Sequence, residues 1–157
     1  MILGHYRADQ KYRHVHKLAS NRAEGLLEYW HECCLTDGIP DRNAFTPHAL
    51  QKWLGFISVY KYVEELDDFV NALEGTLITQ ITGQDWTGKL ASDVDSEFGS
   101  TFHNELCAVR RTRTQLLDHV KIYQKEYKSA TRLLMPVGDK GSQEVDQVFL
   151  GLFPDWS

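Results

Sequence analysis

Apolar and polar positions follow two different periods along this chain, and the changes from one to the other outline its elements. Between Asn21 and Cys34 the residues Ala23, Leu26, Leu27, Trp30, Cys33 and Cys34 recur at helical spacing and mark one face. Asn21 with Glu24 three residues on has the form of a capping box, and Asp37-Gly38-Ile39-Pro40 supplies the stop. Thr46-Pro47 predicts a second, short helix with Leu50, Trp53 and Leu54 inward and Gly55 at its end. Phe56 to Val63 (FISVYKYV), rich in β-branched and aromatic residues, predicts the first strand. Glu64 to Glu74 fits both periods. Leu66, Phe69, Val70 and Leu73 keep helical spacing, while Phe69, Asn71 and Leu73 alternate as a strand does. The Ala, Asn, Asp and Glu content of this segment favours helix on propensity alone.

The stretch Leu73 to Lys89 organises the middle of the chain. Gly75, Gly83 and Gly88 punctuate short apolar runs, which predicts tight turns around a short helix over Thr76–Thr82. Asp85 and Thr87 beside Trp86 are residue types that turn a chain through side-chain to backbone hydrogen bonds. A longer helix is expected from about Ser96 to Arg113. Phe98, Phe102, Leu106 and Val109 form its stripe, and Arg110, Arg111 and Arg113 lie at the end where the dipole favours cations. Three strands follow, Leu116–Tyr123, Tyr127–Val137 and Val145–Phe153, with turns at Lys125-Glu126 and Gly138-Asp139-Lys140-Gly141. Strands, short helices, a longer helix and a three-stranded meander make an α+β domain with an antiparallel sheet.

From about Arg42 to Phe153 the chain resembles a divergent bacterial PAS-domain family. The resemblance is carried by Arg42-Asn-Ala-Phe45-Thr-Pro47, Gly75-Thr76-Leu-Ile78, Gly83-Gln-Asp85-Trp-Thr87-Gly88, and Leu133-Leu134-Met135-Pro136 followed by Val145-Asp146. It implies a five-stranded sheet with helices over one face, a cavity between them, and an extra N-terminal helix. It also implies that Asp68–Glu74 is the second strand, against its composition. The resemblance further implies a non-enzymatic sensory or regulatory protein acting in signal transduction through a small ligand or a protein partner. No kinase, cyclase or DNA-binding segment is recognisable on the chain.

Composition narrows this further. The 157 residues suit one domain with an added helix, divided as 1–36 (basic lead-in and amphipathic helix) and 37–157 (the PAS-like domain). The formal charge is −5, but residues 1–22 hold five basic residues against one acidic, so the remainder is strongly acidic. That body argues against a nucleic-acid partner, which needs a basic face. No membrane span or signal peptide is legible, and three cysteines do not make a disulfide framework, so the expected location is cytoplasmic.

The candidate residues follow from phase. Phe69, Leu73, Ile78, Phe102, Leu106 and Leu133 are expected nearest the cavity, which would suit a small apolar or planar ligand. Leu26, Leu27, Trp30 and Cys33 form a stripe too apolar for water, expected to meet either the chain's own sheet or a second copy in a homodimer, the latter favoured by the resemblance. The cofactor is open. A flavin-photosensor motif is absent. His103 is the one candidate haem ligand, giving the alternative of a haem or metal sensor, with a small enzyme of unknown type as the remaining alternative. His14-x-His16 and His31-x-Cys33-Cys34 are too ragged for a zinc site. No catalytic motif is present.

Overall fold

A computed structural model describes residues 10–34, 38–122, 128–139 and 144–155. The sheet is built from β1 (Ile57–Val63), β2 (Asp68–Glu74), β3 (Leu116–Ile122), β4 (Lys128–Gly138) and β5 (Val145–Pro154). Its spatial order is β2-β1-β5-β4-β3, antiparallel throughout. The first and last segments of the domain thus meet at its centre. One face, here called inner, carries α2 (Thr76–Thr82), α3 (Ala91–Phe98) and α4 (Phe102–Thr112). The outer face carries α1 (Gln10–Cys33), which packs on β4 and β5. Both central strands are therefore almost wholly buried on both sides.

β2 spans Asp68–Glu74, the bounds that the resemblance required. Tertiary pairing overrides propensity here: a 3₁₀ turn at Glu64–Leu66 and the left-handed Asp67 swing the chain back onto β1. Three other elements differ from expectation. α1 begins at Gln10, not Asn21, because Ala19 extends the Ala23–Leu26–Trp30 stripe backward and no breaker precedes it. The Thr46-Pro47 segment closes a single helical turn. Thr46 Oγ1 accepts from the Ala49 N–H and its carbonyl from the Leu50 N–H, after which the chain passes through further turns into β1. The expected helix Ser96–Arg113 is two helices, α3 and α4, broken at Gly99 in the left-handed region. Asp95 ties the break together, accepting from the Ser100 hydroxyl and the Phe102 and His103 N–H groups. The Lys125-Glu126 turn and most of the Asp139–Gly141 turn lie outside the described residues.

The seat of α1 is specific. Leu26 fills the space above Gly151, where an added Cβ would stand 3.1 Å from Leu26 Cδ2. The Trp30 indole N–H donates to the Pro136 carbonyl at 2.9 Å. Pro136 lies past the end of β3, so on that side of β4 its missing N–H breaks no ladder. Residues 40–41 fill the gap instead, the Gly138 N–H reaching the Pro40 carbonyl and Asp41 bridging Gly138. Leu26 and Trp30 are thus spent on the chain's own sheet, with Leu27 and Cys33 packed partly against the same core. The dimer stripe expected from the sequence is, in this arrangement, a core contact, because β4 and β5 need a cover on that side.

Two outcomes follow. Deleting residues 1–36 removes the buried Leu26 and Trp30, each contributing about 1.5–3 kcal/mol, and the part-buried Leu27 and Tyr29, against a usual domain stability of about 5–15 kcal/mol. The remainder is expected to lose its cooperative urea transition. A truncated chain with the full transition would show that the sheet does not need α1. Gly75→Ala is expected to destabilise by about 1–3 kcal/mol, since its Cβ would stand 2.6 Å from the Ile57 carbonyl oxygen and closer still to that of Gly55. Its φ of −62° is open to alanine, so a stability equal to wild type in chemical denaturation would show that the two backbones are free to separate.

Candidate functional site

Between the inner face and α2–α4 lies a cavity of about 50 Å³, enough for about three to five water-sized positions. Its walls are mostly apolar. Ile78, Ile122, Leu150 and Leu152 supply aliphatic surface, and Tyr60, Trp86, Phe98 and Phe102 supply rings. The rings are braced in edge-to-face pairs, Tyr60 with Phe102 at 5.0 Å and Trp86 with Phe98 at 5.8 Å between centroids.

One carboxylate faces this space. Glu74 Oε1 accepts from the Ser58 hydroxyl, and Oε2 accepts from the Trp86 backbone N–H at 3.1 Å. Burial pushes the Glu74 carboxyl above its ordinary value. The hydrogen bonds of Ser58, Trp86 and Asn71 pull it partly back, and the charge of Asp85 adds to the rise. Burial likewise raises the Tyr60 phenol, which accepts from Asn71 Nδ2 at 3.2 Å. Asn71 Oδ1 is buried without a hydrogen-bond partner.

Glu74 reaches the cavity through a bulge. Val59 pairs with Leu73, but the next residue, Tyr60, pairs with Asn71, so Ala72 is an extra residue in β2. Strict alternation puts Phe69, Asn71 and Leu73 on one face; the bulge turns Leu73 to the outer face and Glu74 to the inner one. Leu73 is accordingly 45% exposed. It stands in an outer groove of about 390 Å³ whose wall includes Arg42, Phe45 and Pro47. That motif shapes the outer face and is remote from the cavity lining.

Of the six residues expected at the cavity, Ile78 and Phe102 line it. Phe69 and Leu106 are fully buried on the inner side but form no part of its wall, Phe69 packing on Tyr62 at 5.2 Å. Leu73 and Leu133 are corrected to the outer face, Leu73 by the bulge and Leu133 because it pairs with Gly151 beneath Leu26. Sequence reasoning passed over Glu74, whose one signal is its place before the Gly75 turn. It also passed over α3, whose signal is Asp93 accepting from the Leu90 N–H at the helix start.

Two further polar clusters brace the inner face. Arg132 on β4 is fully buried, fork-bonded to Asp118 at 2.9 and 2.6 Å and to Glu105 of α4 at 2.8 Å. Burial alone would lower its pKa, but these two carboxylates outweigh that and raise it. In the same first turn of α4, His103 Nε2 lies 2.7 Å from the Asp67 carbonyl and 3.6 Å from Cys107 Sγ. A carbonyl only accepts, so Nε2 carries the proton and does not take one from the thiol. Burial and the nearby Asp67 and Asp68 push the Cys107 thiol up, away from a nucleophilic thiolate. The haem alternative does not fit this histidine, since Nε2 is engaged and the ring is no part of the cavity wall. Among the described residues no group of three His, Cys, Asp or Glu is placed to hold a metal, and no helix is long and apolar enough to cross a membrane.

No family model and no curated protein matches the sequence. Solved structures do match the fold. One is an RNA-binding Light-Oxygen-Voltage receptor, with a TM-score of 0.52 and 14% identity over 78% of this chain and 37% of that one. This chain thus spans little more than a third of that receptor's length. At this identity the likeness is one of fold, and the fold is the PAS-like α+β fold, a five-stranded antiparallel sheet with an extra N-terminal helix.

The part-buried carboxylate gives a pH dependence. A folded pKa above the ordinary 4.5 means that the folded chain holds this proton more tightly than the unfolded one. The penalty for burying Glu74 is therefore absent below about that pH and complete once pH passes the raised folded value. Glu74→Gln should gain stability relative to wild type as pH rises from 4.5 to 8, read from urea unfolding at each pH. A difference that stays flat, or moves the other way, would show the carboxylate to be as comfortable folded as unfolded.

Proposed function

We propose that this chain is a non-enzymatic sensory or regulatory module that binds a small, mostly apolar ligand in the inner cavity and passes the signal on by protein contact. The observation that carries this reading is the cavity itself, four aromatic rings and aliphatic walls around one carboxylate, in a PAS-like fold. Its size limits the ligand. At about 50 Å³ it lies well below the roughly 300–1,000 Å³ of drug-sized pockets, so a flavin or haem would need the walls to part.

α3, α4 and the break between them supply Val94, Phe98, Ser100 and Phe102 to the wall, and α4 is fastened to β3 and β4 through Arg132. A displacement of these helices would reach the sheet through that ion pair. Onward contact with a signalling partner or a second copy would use surfaces other than the buried α1 stripe. An RNA partner, by analogy with the solved receptor, has less support, since 22 acidic residues face 17 basic ones and Arg42 and Arg132 are held by carboxylates.

Native mass spectrometry of the freshly purified full chain, followed by thermal shift with a panel of small molecules, tests this. A retained adduct, or a melting shift lost in the cavity-filling Val94→Phe variant, is expected. Absence of any adduct and of any shift in wild type would overturn the reading.

A further inference from the structure

The cavity reading leaves the ligand's chemistry open, and the hydrogen-bond partners of Glu74 narrow it. The chain treats the fully buried Arg132 and the part-buried Glu74 differently. Arg132 has a carboxylate on either side, Asp118 and Glu105. Glu74 has only neutral donors, the Ser58 hydroxyl, the Trp86 N–H and the Asn71 amide, together with the like charge of Asp85 nearby. Among the described residues no Lys, Arg or His forms an ion pair with it. Lys121 lies at the cavity's edge but leaves its strand on the opposite face from Ile122, since it pairs with Ser129 while Ile122 pairs with Lys128. The two oxygens of Glu74 accept from these donors and retain further lone-pair capacity. Behind the wall, Asn71 is 1% exposed and its Oδ1 is buried without a hydrogen-bond donor. The local surplus is of acceptors and negative charge.

The ring set answers the same charge. Tyr60, Trp86, Phe98 and Phe102 surround the space that Glu74 faces, and aromatic faces attract a cation most strongly where water is excluded. Resting on the reading that this cavity is a ligand site, we propose that it takes a small alkylammonium ion, with the N–H donors on Glu74 and the carbon end against the four rings. A volume of about 50 Å³ sets the size at a few heavy atoms, the scale of methylammonium or ethylammonium. An anion would meet Glu74 unscreened, and a purely apolar ligand would leave the acceptors unmet.

The test uses the full chain and compares ethylammonium chloride with ethanol, its neutral counterpart of equal length, against a sodium chloride control at matched ionic strength. Titration calorimetry is expected to show ethylammonium binding about tenfold or more tightly than ethanol, as a charge-assisted hydrogen bond together with a cation–π contact requires. Glu74→Gln, confirmed folded by circular dichroism, should erase that preference. Should Glu74→Gln fail to fold, Phe98→Leu keeps the carboxylate and thins the ring wall, and it should weaken ethylammonium severalfold while leaving ethanol nearly unchanged. Equal binding of ethylammonium and ethanol would overturn the ammonium assignment while the cavity reading stands. A preference that survives Glu74→Gln, or is untouched by Phe98→Leu, would overturn it as well. Binding of neither probe would overturn both readings.

Discussion

The central strands β4 and β5 are buried on both faces, and the remaining architecture answers to that burial. A sheet apolar on both sides needs two covers. α2–α4 supply one and α1 supplies the other, with Leu26 over Gly151 and Trp30 hydrogen-bonded to the Pro136 carbonyl. An added Cβ at Gly151 would stand 3.1 Å from both Leu26 and Phe153, tight enough that the helix position and the strand sequence constrain each other. The N-terminal helix is therefore part of the hydrophobic core of the domain.

On the inner side the covering helices do not close completely over the sheet, and what remains open is decided by two local features. The extra residue Ala72 turns the end of β2 so that Glu74 faces inward and Leu73 outward. The backbone approach at Gly75 then holds α2 against the start of β1, which places Ile78 in the wall. A carboxylate brought into an apolar space in this way is destabilising unless something compensates it. Hydrogen bonds from Ser58 and Trp86 do so in part.

Arg132 shows how full compensation looks in the same domain. Its guanidinium binds Asp118 on the neighbouring strand and Glu105 on α4, so one buried cation joins helix and sheet through donors in a fixed plane. Breaking either partner would leave a buried charge unmatched, which costs more than the pair itself contributes. α4 is thereby anchored at Glu105 in its first turn, where Asp95 and the His103 contact with Asp67 hold it as well. The turn that carries Phe102 into the cavity wall is thus tied down at several points.

Much of this was legible along the chain. The strands from Ile57, Leu116 and Val145 declare themselves by alternation and β-branched content, and Thr76–Thr82 is bounded by its glycines. Those signals are local, and local chemistry determines them. The resemblance carried by the Gly75-Thr76 and Gly83–Gly88 motifs added β2, whose composition favours a helix but whose pairing with β1 prevails. What the sequence did not determine was which way side chains point where that pairing is irregular. Alternation puts Leu73 inward and leaves Glu74 out; one unpaired residue reverses both, and a bulge is visible only in the register of two strands. Leu133 and the α1 stripe were ambiguous for the same reason, since apolar residues on a sheet with two covered faces carry no mark of which cover they meet. Only the three-dimensional arrangement assigns Leu133 to the side of α1, and sets Glu74 among four rings with no ion pair to a basic side chain among the described residues.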